Sequence, residues 1–231
     1  MTRIEHQTLN ERAYIAIKRG LVSGIFVPGQ ALRIRKLADQ YGISTTPVRE
    51  ALQRLVAERL LVMRPNRSIG VPPLSSDTFW ELARIRCALE GLAGELATPR
   101  FGPAEIKALR GIIQQIETSL TRHDVRAYLR HNQRLHFAIY QRAEAPLLLG
   151  MIQDLWSRVG PFLAELFTDT DYLPHANEYH RRILSALEAG DAAGVREGLA
   201  ADISVAAQSL APRLTRQDET GRARNPARLL E

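Results

Sequence analysis

From Ser75 onward the apolar residues recur at the spacing of an α-helix, and that regularity limits the possible fold more than any other feature of the chain. Leu82, Ile85, Leu89, Leu92 and Leu96 step by three and four residues, and Ile106, Leu109, Ile113, Ile116 and Leu120 repeat the same steps. A period near 3.6 lines one face of a helix, whereas a strand needs alternation in twos. Thr98-Pro99 through Pro103 and His123-Asp124 interrupt the pattern. Further helices are expected over Val125–Ala143, Pro146–Phe167, Asp171–Ala189 and Ala192–Ala211, the last two separated by Gly190-Asp191. Six helices without a strand pattern predict an all-α, six-helix antiparallel bundle over residues 74–211, with a central cavity. Pro161, which has no N–H, is expected to kink the fourth of them. Residues 212–231 lose the periodicity and gain arginine and proline, which predicts a disordered tail.

The N-terminal third has different punctuation. Leu9, Ala13, Ile17 and Leu21 predict a first helix ending near Gly24. After the Pro28-Gly29 turn, Leu32, Ile34, Leu37, Ala38 and Tyr41 suit a short second helix closed by Gly42. Ser44 or Thr46 can cap a third, with Pro47 in its first turn and Val48, Leu52, Leu55 and Val56 facing inward. Leu60–Met63 and Ile69–Val71 flank Arg64-Pro65-Asn66-Arg67-Ser68, a two-stranded hairpin with a basic tip. Residues 1–73 therefore read as a helix-turn-helix followed by a wing, and the whole chain as mostly α.

Charge follows the same division. Residues 1–73 carry 12 basic and 5 acidic side chains, whereas residues 74–211 carry 14 and 17. A basic first part suits a polyanionic partner. Ser44, Thr45, Thr46 and Arg49 stand at the start of the third helix, where short side chains let a helix approach base edges closely. Arg35 and Lys36 open the preceding helix and can neutralise phosphates. No segment nears the roughly 18 apolar residues of a membrane span, and no signal peptide is apparent, so a cytoplasmic protein with no membrane partner is expected. The single cysteine, Cys87, excludes an internal disulfide.

Pro28-Gly29, Leu32, Leu37-Ala38, Gly42-Ile43-Ser44, Thr46-Pro47-Val48-Arg49-Glu50-Ala51-Leu52, Leu55 and Pro65-Asn66-Arg67 together resemble the winged helix-turn-helix of the GntR family of bacterial transcription regulators. The resemblance implies reading of double-stranded operator DNA by Arg35, Arg49 and the hydroxyl cluster, with the wing tip at Arg67 entering the minor groove. Thr45 stands where the family usually has arginine, and Ser68 where it has the wing glycine.

Leu82–Leu96, Asn132–His136 and His180 with the segment Ile183–Asp191 resemble the ligand-sensing FCD domain of the FadR branch of that family. The positions that hold a metal there fall on Asn132, His136, His180 and Asp202. An amide and a carboxylate replace two of the usual ligands, yet two imidazoles and a carboxylate suit a divalent ion such as Zn, Ni, Mn or Fe. The competing readings of His136 and His180 are hydrogen-bonded core histidines, or a metal-free effector pocket. Arg86 and Arg134 are candidates to fork a carboxylate effector.

The function expected is that of a homodimeric transcription regulator, not an enzyme, on a palindromic operator, controlled by a small organic acid. A metal-dependent enzyme and a constitutive DNA-binding protein with an empty bundle are the alternatives. No HExxH string, nucleophile-base pair or phosphate-binding glycine loop supports the enzyme.

Overall fold

The computed structural model describes residues 8–65, 67–168 and 175–223, with Thr168 and residues 215–223 described by backbone alone. By its internal contacts the chain divides into two compact units, residues 1–73 with 156–161, and residues 74–155 with 162–231. The segment 156–161, which periodicity groups with the bundle, belongs to the first unit.

The first unit holds α1 (Leu9–Val22), β1 (Ala31–Leu32), α2 (Ile34–Tyr41), α3 (Thr45–Ala57), β2 (Val62–Met63) and β3 (Ile69–Gly70). Thr8 caps α1 by accepting from the backbone N–H of Glu11. Gly42 ends α2 in the left-handed region at φ 64°, which a residue without Cβ reaches without strain, and its N–H returns to the helix. Ile17, Leu21, Val48, Leu52 and Leu55 are fully buried and form the centre of the core.

The wing is more than the expected hairpin. β1 joins it, giving an antiparallel sheet in the order β1-β3-β2, with Ala31 opposite Gly70 and Leu32 opposite Ile69. Two residues are too short a run for alternation to reveal a strand. Gly70 is required at the junction, since a Cβ there would lie 2.7 Å from the Gln30 carbonyl oxygen.

The second unit contains α4 (Ser76–Ala97), α5 (Pro103–Thr121), α6 (Val125–Gln141), α8 (Glu178–Ala189), α9 (Ala192–Ala223) and α7 (Pro146–Val159) as far as Leu155, the rest of α7 belonging to the first unit. Short 3-10 turns follow α4 at Thr98–Arg100 and α7 at Gly160–Thr168. Pro161 thus ends α7 rather than kinking it: the chain tightens into 3-10 winding where the proline removes a donor. None of the described helices is long and apolar enough to cross a membrane.

Two expectations need correction. Of the stripe Leu82, Ile85, Leu89, Leu92 and Leu96 only Leu82 is buried: Ile85 and Leu96 are each 40% exposed and Leu92 37%. The inner face of α4 is instead built from Phe79, Leu82, Ala83, Arg86, Glu90, Gly91, Ala93, Gly94 and Ala97. Its glycines let α9 approach closely, and a Cβ on Gly94 would fall 2.4 Å from Leu199 Cδ1 and 2.9 Å from Val195 Cγ1. The second correction concerns the C-terminal tail, because α9 continues through Pro212 as far as Ala223. Leu210, Ala211 and Leu214 are buried around that proline, and Arg213 donates to the Glu165 carbonyl at 2.8 Å. Packing outweighs the lost helix bond. Residues 224–231 of the expected tail lie outside the described residues, as does Asn66 at the wing tip.

Candidate DNA interface and metal centre

In the first unit, α3 buries Pro47, Val48, Ala51, Leu52 and Leu55 and turns Ser44, Thr46 and Arg49 to solvent, with Thr45 half-buried. Ser44 occupies the N-cap position but its hydroxyl makes no capping bond. Glu50, the acidic neighbour of Arg49, accepts from Asn10 Nδ2 at 2.9 Å and so faces α1. Arg49 forms no ion pair among the described residues.

A groove of about 650 Å³ joins this helix start to α2 and the wing. Arg33, Arg35, Thr45, Arg49, Arg64 and Arg67 line it, and no acidic side chain does among the described residues. Five guanidinium groups around one concavity attract a phosphate backbone and release its counterions. Ser44 and Thr46 stand outside the lining, on the exposed start of α3.

The wing shows how the chain manages without its expected glycine. The left-handed residue is Arg67, at φ 60°, one position before Ser68. Arg67 donates its backbone N–H to Arg64 O at 2.9 Å, and Arg64 donates to Ser68 O at 2.8 Å, closing the turn. A non-glycine residue there costs roughly 1–2 kcal/mol. Arg64 fixes the root of the wing, because its guanidinium donates to the Gly29 carbonyl. Arg33 was missed by sequence reasoning, since only the fold brings the residue after Leu32 beside the wing, and Arg64 was read only as part of the basic tip.

In the second unit, α6, α8 and α9 bring His136, His180 and Asp202 together, with potential ligand atoms all within 4.8 Å of one another. His136 Nε2 lies 3.3 Å from Asp202 Oδ2, and His180 Nε2 lies 3.6 Å from Asp202 Oδ1. Both rings are 1% exposed. His180 Nδ1 is 2.9 Å from Asn177 Oδ1, and Asn177 donates its amide to the Ile113 carbonyl at 3.3 Å. That anchor leaves the amide oxygen as acceptor, so Nδ1 carries the proton and Nε2 presents a lone pair. The Nε2 atom of His180 is buried with no hydrogen-bond partner among the described residues.

Electrostatics favour the same state. Burial lowers the His180 pKa to about 4, helped by the charges of His136 and Arg181 and opposed by Asp202. Burial alone would raise Asp202, but its neighbours His180, His136 and Arg86 hold it below the usual carboxylate range. A neutral imidazole lone pair facing a carboxylate in a dry site is a donor set that fits a divalent cation.

The remaining expected residues distribute differently. Asn132 lies on α6 one turn before His136, half-buried, and its amide makes no hydrogen bond among the described residues. Arg134 is exposed and reaches Gln115 on α5 at 3.5 Å. Two residues from His136 is about 200° around a helix, which turns Arg134 away from the centre. Arg86 is buried, but its fork grips Glu90 through Nε at 2.6 Å and Nη2 at 3.3 Å instead of standing open. Glu90 is 0% exposed. Glu90, Tyr140 and Asn177 went unread in the sequence, although Arg86 to Glu90 and His136 to Tyr140 are both spaced four apart on helices.

Comparison with known proteins agrees with this architecture. Residues 9–71 match the model for bacterial regulatory proteins of the gntR family, and residues 81–204 match the FCD domain. The HTH-type transcriptional regulator McbR of Escherichia coli (strain K12) is 33% identical over 201 residues, covering 86% of this chain and 90% of that protein. The HTH-type transcriptional repressor GlaR of the same organism is 26% identical over 197 residues, covering 80% and 87%. The solved structure of E. coli McbR/YncC superposes with a TM-score of 0.80 at 31% identity, covering 92% of this chain and 99% of that one.

Proposed function

Because the chain belongs to the GntR family of bacterial regulatory proteins with a C-terminal FCD domain, and is a DNA-binding transcriptional regulator and not an enzyme, we propose that a small carboxylate effector bound with a divalent metal in the FCD domain controls its operator affinity. The observation that carries this is the meeting of His136, His180 and Asp202 in one buried cluster. His136 Nε2, His180 Nε2 and an Asp202 oxygen would hold the ion, with Asn132 one turn away on α6. When bound, the ion supplies a positive centre for a carboxylate.

The DNA contacts fall to Arg35, Thr45, Arg49 and Arg67 in the groove, with Ser44 and Thr46 on the exposed start of α3. Arg35 and Arg67 would neutralise phosphates, while Arg49 and the hydroxyls would face base edges. A homodimer would present two such surfaces to a palindromic operator. The outward row of Ile85, Leu89, Leu92 and Leu96 supports pairing, since steps of four and three are the seam a second helix needs. Effector binding must favour one dimer geometry over another, because a ligand indifferent to both shifts nothing.

Metal analysis and native mass spectrometry of the purified protein test the sensor. One divalent ion per chain, lost in His136→Ala and His180→Ala together with the response of operator binding to added carboxylates, is the expected result. A carboxylate response that survives in metal-free protein and in both variants would remove the ion from the proposal.

A further inference from the structure

The polar cluster does not end at its three ligand side chains. Tyr140 sits between His136 on its own helix and Glu90 on α4. Its hydroxyl donates to the Glu90 carboxylate, and the same oxygen lies 2.8 Å from His136 Nδ1. A hydroxyl has a single proton. With that proton given to Glu90, the contact to His136 holds only if Nδ1 is the donor. In a neutral imidazole only one nitrogen carries a proton, so Nε2, which lies 3.3 Å from Asp202 Oδ2, then keeps its lone pair.

Two neighbours hold the arrangement in this sense. Arg86 clasps Glu90 with two hydrogen bonds and supplies the opposite charge that a buried carboxylate needs. The Tyr140 hydroxyl is fully buried between His136 and Glu90 and donates its one proton to the Glu90 carboxylate. His180 receives equivalent support by other means, from Asn177 anchored on a backbone carbonyl of α5. The centre therefore has one neutral support and one charged support, and the charged one reaches α4.

We infer that Tyr140, backed by Glu90 and Arg86, is a positioning residue that sets the tautomer of His136 and so makes its Nε2 a donor for a divalent cation. The inference rests on the metal part of the proposed function, but the tautomer itself is measurable without any ion. Outer partners of a metal-ligating histidine fix ring orientation and tautomer, and removing one typically costs about 10- to 100-fold in metal affinity.

The test uses full-length protein and Tyr140→Phe, which keeps the ring and removes the hydroxyl. In metal-free wild type, long-range nitrogen-proton NMR should show His136 and His180 both protonated at Nδ1. In Tyr140→Phe, His136 should shift toward the Nε2-protonated form, which can donate to Asp202, while His180 stays unchanged as the internal control. Zinc and nickel titrations, each ion added alone, should show binding weakened by about 10- to 100-fold. Wild-type His136 protonated at Nε2 would overturn the inference, whether or not the variant folds. Zinc and nickel affinities equal to wild type in a folded Tyr140→Phe would overturn it as well. A tautomer change in the variant with no ion bound by wild type would uphold the role of Tyr140 and remove the metal from the proposed function.

Discussion

His180 Nε2 and Asp202 Oδ1 face each other at 3.6 Å in the interior of the second unit, and the imidazole nitrogen has no hydrogen-bond partner among the described residues. The pair links stability to pH in a definite direction. The His180 pKa is about 4 in the fold against 6.5 ordinarily, so below pH 6.5 the unfolded chain takes up a proton that the native chain refuses. The contribution is complete above 6.5 and is lost as the pH falls toward 4. Asp202, held below its ordinary 3.8, adds its own loss only at more acid pH. Thermal melts of chelator-treated protein between pH 8 and pH 4 should therefore decline through this window, and His180→Gln should flatten the decline. Identical profiles for variant and wild type would refute the account.

Arg49→Ala should weaken operator binding by about 1–3 kcal/mol, roughly 5- to 150-fold, while leaving the melting temperature close to wild type. The side chain is exposed and carries no ion pair among the described residues, so its removal breaks no charge pair there. Fluorescence anisotropy on operator and scrambled duplexes separates base reading from charge. Loss on the operator alone marks a base contact, and equal loss on both marks a phosphate contact.

Arg35→Ala should behave differently, lowering affinity for all sequences and reducing the slope of log affinity against log salt by about one. Binding isotherms across a salt series measure this. An unchanged slope would take Arg35 off the phosphate backbone.

Gly70→Ala should destabilise the first unit by about 1–3 kcal/mol, because the atom a Cβ would meet at 2.7 Å is the Gln30 carbonyl oxygen and backbone has little room to yield. The same carbonyl accepts from Val71 at 3.0 Å, so the link between β1 and the wing is lost with it. Denaturant melts and operator binding should both fall, and a variant as stable as wild type would show that the sheet can shift.

Leu92→Glu should leave the monomer folded and abolish pairing. The residue is 37% exposed and its removal opens no cavity in the core. Sedimentation or native mass should report monomer, with operator affinity reduced because one chain then presents one half-site. A dimer that survives would place the seam elsewhere.

Much of this fold was legible in the sequence because its signals are local. Gly42 after Tyr41 ends α2 where a left-handed glycine should, and Pro47 follows the start of α3. Spacing found the helices but could not say which side of α4 faces inward. Leucines at three-four steps suit a core and an intermolecular seam alike, and the small residues Gly91 and Gly94 that admit α9 carry no apolar signal of their own. The cluster at His136 was found by its likeness to a family pattern. Its supports were hidden because Glu90 and Tyr140 are fifty positions apart and meet only after α4 and α6 have packed. The exposed position of Arg134 was hidden for a simpler reason, since helix phase depends on neighbours and not on adjacency in sequence.

Glu90 points inward and Leu92 outward on the same rod, separated by about 200° of helical turn. A stiff cylinder cannot roll one flank without rolling the other. Whatever tugs the carboxylate would thus re-aim the leucines on the far side, and a chemical event in the interior would reach the outer surface with no hinge between them.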